Sequence, residues 1–252
     1  MGSMDLRFLP KVSEGNFGMF ALPLPLSTTN IAPARDLDLI LYGATGCVGH
    51  FAALHLANQT GLKWAIADLN ATRLDSLAAE LASLPSSPDV IVAPLTGNMS
   101  WVGRAVAVAT AAGPFSIHDG ENLVRACSSL GVHYADTSDE FYWQRRMIDG
   151  YDATASSSGA RIALASGFCA IAADVGTALA LDAIAGSATA HVDAWLEGYS
   201  GGISAGVIHT THVNATYPKA WDSDPYVLAP KAPAALRRDQ LVDGMKYPAL
   251  VK

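Results

Sequence analysis

Hydrophobic and polar positions change rhythm twice along the chain. Residues 1–35 show no sustained periodicity and carry Pro10, Pro23, Pro25 and Pro33, which predicts an extended leader. From Asp36 to about residue 175, short apolar runs alternate with stretches at helical spacing. Leu37–Tyr42 reads as a strand, and Val48, Ala52, Leu54 and Leu56 mark the helix after it. Lys63–Ala67 is a second strand, and Asn70 is placed to cap a helix whose inner face is Leu74, Leu77, Ala78, Leu81 and Leu84. Further strands are predicted at 90–93, 106–110, 132–135 and 162–165. A helix over 120–130, stopped by Gly131, precedes the fifth strand, and one running from Ser138 to Gly159 precedes the sixth. Beyond about 176 the rhythm breaks into a helix near 175–185, an alternating strand-like run Val192–Tyr199, a Gly201-Gly202 turn and an irregular tail from Tyr217.

Short apolar strands alternating with amphipathic helices specify an α/β fold, a doubly wound parallel sheet covered on both faces. Six strands in this rhythm fit the dinucleotide-binding (Rossmann) order. The domain is expected over 36–175. Residues 176–252 are too few for a full second domain and are expected to form a partial substrate-side α+β region.

Between the first strand and the first helix stands Gly43-Ala44-Thr45-Gly46-Cys47-Val48-Gly49, a GxxGxxG spacing. Glycines let the backbone turn tightly and approach a pyrophosphate, whose charge is favoured at a helix N-terminus. A tight turn in a fold without a ligand is the bland alternative. Asp68 ends the second strand, where a carboxylate accepts hydrogen bonds from an adenosine ribose and repels a 2′-phosphate, favouring NAD over NADP. The alternative is that Asp68 only caps the turn before the next helix.

Composition narrows the partners. The 252 residues are 50% apolar and only 15% charged, which excludes a disordered chain and a coiled coil. With 16 basic against 23 acidic side chains the net charge is −7, and no basic cluster exists to meet nucleic acid. The three cysteines, Cys47, Cys127 and Cys169, are scattered, as expected for reduced thiols in the cytoplasm. The longest apolar stretches are too short to span a bilayer, although peripheral association with lipid is compatible with the chain.

With these residues in view, the chain resembles the saccharopine dehydrogenase-like oxidoreductases, including the trans-acting enoyl reductases. The resemblance is carried by DLILYGATGCVG (38–49), AAGPF (111–115), GENLVRACSSLGVHYADTSDE (120–140), GFCAIAADVG (167–176) and SGGISAG (200–206). It implies NAD or NADP as cofactor. It also implies a loop Ala112-Gly113-Pro114-Phe115 passing beside the nicotinamide half, where Gly113 permits close approach and Pro114 stiffens the turn. Family members continue well beyond the point where this chain stops, hence the expectation of a partial substrate-side region. Three places depart from the family pattern: Thr110 stands for Asn, Asp68-Leu69 for Gly-Arg, and Cys169–Ala173 carries small apolar residues where relatives have polar and rigid ones. The resemblance implies an unsaturated acyl, polyketide-like or otherwise apolar substrate, which the apolar residues at 169–173 fit.

Proton donors for such chemistry are sought near the carboxyl edge of the sheet. His118, Asp136 and Glu140 are the candidates, with His133 and Tyr134 expected to fill the core or its rim. His118-Asp119-Gly120 is equally readable as a helix N-cap, with Asp119 meeting free amides. His209 and His212 lack a third ligand nearby, so no metal is expected. The leading expectation is a nicotinamide-dependent oxidoreductase, probed against two others: a repurposed fold catalysing a non-redox cyclisation or isomerisation, and a non-enzymatic lipid-associated binding protein. A homo-oligomer is expected.

Overall fold

A computed structural model describes residues 35–183, 202–216 and 228 of the chain. The elements follow in the order β1 (Leu37–Tyr42), α1 (Cys47–Ala57), β2 (Trp64–Asp68), α2 (Ala71–Leu81), β3 (Asp89–Val92), β4 (Ala105–Thr110), α3 (Gly120–Leu130), β5 (His133–Asp136), α4 (Phe141–Ser158), β6 (Ile162–Ala163), α5 (Phe168–Ala183) and α6 (Ala205–Ala215). A short 3-10 helix, Ser100–Arg104, precedes β4. The six strands form one sheet in the order β3-β2-β1-β4-β5-β6, and every pairing is parallel. This is the doubly wound order that the alternation predicts.

Successive strand side chains point to opposite faces, and β1 shows the consequence. Ile40 belongs to a hydrophobic cluster with Leu123, Val124 and Cys127 of α3 and Trp143 and Met147 of α4. The next residue, Leu41, belongs to a second cluster with Ala53 and Ala57 of α1 and Leu74, Leu77 and Leu81 of α2. One pair of helices therefore covers each face. Each fully buried leucine here contributes roughly 2 kcal/mol through removal from water. Cys127, completely buried, is a core residue, and burial raises its thiol pKa.

The element ends carry most of the differences from expectation. Strand β6 stops at Ala163 because Ala165 takes a left-handed conformation (φ 53°) and gives its N–H to the Asp136 carboxylate instead of the sheet. Helix α4 begins at Phe141 and not near Ser138, whose N–H and hydroxyl are engaged by Asp136. Helix α5 begins at Phe168 and crosses the expected domain boundary at 175/176. Its alanine-rich first half has high helix propensity, and Ile171 N–H already bonds back to Gly167 O. The expected leader, the strand at Val192–Tyr199, Gly201 and the tail lie outside the described residues, apart from Arg35 and Leu228.

Among the described residues, no side chain of α5 joins either hydrophobic cluster, and Phe168 and Leu179 stand 67% and 65% exposed. Helix α6 is anchored by Val213, which is buried in the first cluster, and by Asn214, whose amide donates to Asp139 O at 2.9 Å. No described helix is long and apolar enough to cross a membrane.

Candidate cofactor site

The carboxyl edge of β1 and β4 opens into a cleft of about 690 Å³, large enough for a dinucleotide-sized ligand. Its location follows from the topology: β1 lies between β2 and β4, so the chain turns to opposite faces of the sheet there, leaving a crevice at the strand ends.

One end of the cleft is formed by the glycine loop. Gly43 (φ +76°) starts it, and a Cβ there would stand 2.8 Å from Ala112 Cβ. A Cβ on Gly49 would come within 2.1 Å of Gly43 O, so only glycine lets α1 pack this tightly against the loop. Helix α1 receives no side-chain cap from Gly46, and Gly46, Cys47 and Val48 are exposed on the cleft. The amides of its first turn have no carbonyl to reach within the helix, which makes this end a place for an anion. The residues present therefore fit a dinucleotide diphosphate.

At the same end, Thr45 donates its N–H (3.1 Å) and its hydroxyl (2.6 Å) to Asp68 Oδ2, while Leu69 N–H meets Oδ1 at 2.7 Å. Arg73, in the first turn of α2, donates to Thr45 O at 2.9 Å and lines the cleft. Arg73 is absent from the sequence-based site. A cation at a helix N-terminus opposes the helix dipole, and that unfavourable placement is a signal by which it is recognisable. Asn70 caps α2 as expected, its side chain accepting from Arg73 N–H.

The other end is the loop after β4. Ala112 and Gly113 line the cleft, with Ile117, His118 and Asp119 beyond them. Pro114 and Phe115 turn inward. Phe115 is 4% exposed, lies 5.4 Å from the Trp143 ring centroid to centroid, and borders a smaller hollow that shares Gly113 with the cleft. Thr110 is buried and its hydroxyl accepts from Ala112 N–H at 3.2 Å, so it braces the start of this loop.

The two carboxylates expected to handle protons do not line the cleft. Glu140 is completely buried, accepting from Phe115 N–H (2.6 Å), Ser116 N–H (3.2 Å) and Tyr142 OH (3.2 Å), and closely from the Ser116 hydroxyl. Asp136, 2% exposed, accepts from Tyr134 OH, Ser138 N–H and hydroxyl, and Ala165 N–H. Burial raises its pKa, and these donors offset part of the rise. Both are braces that set strand ends and loops, because a carboxylate at full burial needs every available donor. Asp119 does not act as a side-chain cap either. It sits at φ 58° with no side-chain bond to α3, and only its carbonyl receives Asn122 N–H.

Of the expected proton donors, His118 alone reaches the cleft, with an exposed side chain. Asp139 is a second titratable group near Gly113 and was not singled out from the sequence. It borders the smaller hollow with Thr137, Ser204, Val207 and Thr210, and partial burial, then the neighbouring Glu140 charge, raises its pKa. His133 lies away from the cleft, accepting Arg161 N–H on Nδ1, and burial followed by the Arg161 charge lowers its pKa. The pair His209 and His212 falls on α6, and no group of three metal-binding side chains gathers among the described residues.

The saccharopine dehydrogenase NADP-binding domain family matches residues 39–162. A Mycobacterium tuberculosis protein whose name places it among the trans-acting enoyl reductases is 32% identical over 213 residues, 79% of this chain and 50% of its own length. The Mycobacterium leprae trans-acting enoyl reductase is 36% identical over 145 residues, 56% of this chain and 34% of its own. The chain thus spans about half the length, or less, of these relatives. Saccharopine dehydrogenase (L-Glu forming) from Saccharomyces cerevisiae superposes on 59% of this chain and 31% of its own, with a TM-score of 0.44 and 13% identity. Residues 39–162 thus form a domain of the saccharopine dehydrogenase NADP-binding family, carried on the parallel Rossmann sheet described above.

Proposed function

We propose that the chain is an NAD(P)-dependent reductase of a small apolar substrate, of the unsaturated acyl or polyketide-like class that the enoyl reductase names of its relatives suggest. The observation that carries this reading is the uncapped N-terminus of α1, exposed with Gly46 at one end of a cleft whose other end is Gly113. Glycine amides and the helix dipole hold the diphosphate at the first end, and Ala112 and Gly113 let a flat ring approach the backbone at the second. A bound reduced nicotinamide supplies hydride. The chain's part is orientation and the proton. His118 lines the cleft with Gly113 and Asp139 lines the adjoining hollow with it, and Asp139, with its raised pKa, keeps its proton to higher pH than an ordinary carboxyl group. Val48, Ile117 and Val207, all about half exposed around this end, favour an apolar partner over a charged one. The reading places the protein in the cytoplasm, as a homo-oligomer.

Titration of the purified chain with NADPH and with NADH, followed by cofactor fluorescence and calorimetry, tests this. Saturable binding in the micromolar range is expected, followed by oxidation of the bound cofactor when enoyl thioesters are added. Absence of saturable binding for both cofactors overturns the reading.

A further inference from the structure

We propose that Asp68 acts on the cofactor through Thr45, as a positioning residue that sets the phosphate loop, and is not the group that selects NADH against NADPH. The inference rests on the dinucleotide reading of the cleft and deepens it.

A carboxylate closing the second strand is expected to face the ribose. Here it faces the loop. Oδ2 receives both the N–H and the hydroxyl of Thr45, and Oδ1 receives Leu69 N–H. The carbonyl of Thr45 is taken by Arg73 at 2.9 Å. Every polar group of Thr45 is thus tied to the β2–α2 unit, while Gly46 N–H closes the turn onto Gly43 O at 3.1 Å. Asp68 fixes the Ala44–Thr45 peptide and the Thr45 side chain, Arg73 holds the carbonyl of the Thr45–Gly46 peptide, and together they set the first turn of α1 on which a diphosphate would rest. Charge argues in the same direction. The Arg73 guanidinium lines the same corner of the cleft as Asp68, so a 2′-phosphate there meets a balanced pair and not a lone carboxylate. A clamp of this kind serves any ligand carrying the diphosphate, whatever its 2′-substituent.

The test is the affinity of the full chain for NADPH and NADH, by calorimetry, in wild type, Asp68→Ala, Thr45→Val, the double variant and Thr45→Ser. Loss of a charge-assisted hydrogen bond predicts about tenfold weaker binding in each single variant. The loss is expected to be equal for the two cofactors, no larger in the double variant, and recovered in Thr45→Ser, which keeps the hydroxyl. A simple loss of stability would lower the melting temperature without this pattern of non-additivity and rescue. If a single variant does not fold, Asp68→Asn, which keeps one acceptor oxygen, is compared with Thr45→Ser, and unequal effects on NADH and NADPH overturn the proposal. A loss confined to NADH on Asp68→Ala, or additive losses, also overturns it while leaving the dinucleotide reading intact. Failure of wild type to bind either cofactor removes both.

Discussion

At the phosphate end of the cleft, Asp68 braces Thr45 from a half-exposed position, while at the far end Glu140 holds Phe115 and Ser116 from complete burial. Each is a carboxylate that collects loop hydrogens, although its place at a strand end in the sequence predicts a group facing a ligand. The difference between them is solvent. Water competes for Asp68 and can replace a lost partner, so its bonds shape the loop without carrying the fold. No water competes for Glu140, and every donor aimed at it is stranded if it is removed. The glycines at the two ends differ in a parallel way. The Cβ that Gly49 lacks would meet the backbone of Gly43 at 2.1 Å, whereas the one that Gly113 lacks would meet only the edge of the Phe115 ring at 3.1 Å.

Five substitutions press on this contrast. Glu140→Ala is expected to destabilise the chain by roughly 3 kcal/mol or more, since several buried donors lose their acceptor at once. Asp68→Ala should change stability by under about 1 kcal/mol, and urea denaturation of the two side by side is the check. Comparable losses would dissolve the distinction. Gly49→Ala follows, with a cost of about 2 kcal/mol and loss of measurable NADPH binding, because backbone cannot yield as a side chain can. Gly113→Ala is milder. The Phe115 ring has to shift by a few tenths of an ångström, so the melting temperature is expected to fall by only a few degrees. Gly113→Val presses a branched side chain against the Phe115 ring, shifts the loop at the edge of the cleft, and should weaken cofactor binding while the circular dichroism spectrum is retained.

The smallest effect is expected at Asp136→Asn. The amide oxygen still accepts from Ser138 and Ala165, which share Oδ1, and the new amide hydrogens can meet Tyr134 OH. What changes is pH dependence. The folded-state pKa of Asp136 is raised above 3.8 by burial, so its contribution to stability is fully present below that value and is lost as pH rises through the raised one. Wild type should therefore lose stability over that window relative to Asp136→Asn, as read from urea midpoints at a series of pH values. Parallel curves would mean that Asp136 titrates normally.

The sequence by itself determined the sheet. Short apolar strands alternating with helices around 36–163 dictate a sheet covered on both faces, and a parallel order follows from that alternation and right-handed crossovers. It also determined the glycine loop, because Gly43 and Gly49 report close backbone approach by residue type alone. Where a polar side chain points was decided only by tertiary structure. Asp68, Asp136 and Glu140 all lie near strand ends, and spacing alone cannot distinguish a carboxylate turned to a ligand from one turned to a loop. That choice depends on donors brought from 23 to 29 residues away, such as Thr45 for Asp68, Phe115 and Ser116 for Glu140, and Ala165 for Asp136. Arg73 and Asp139 were hidden for the same reason. Each became part of a cleft only when α2 and the loop after β5 were packed against the sheet, since a site at the end of a parallel sheet is assembled from several turns that are remote in sequence.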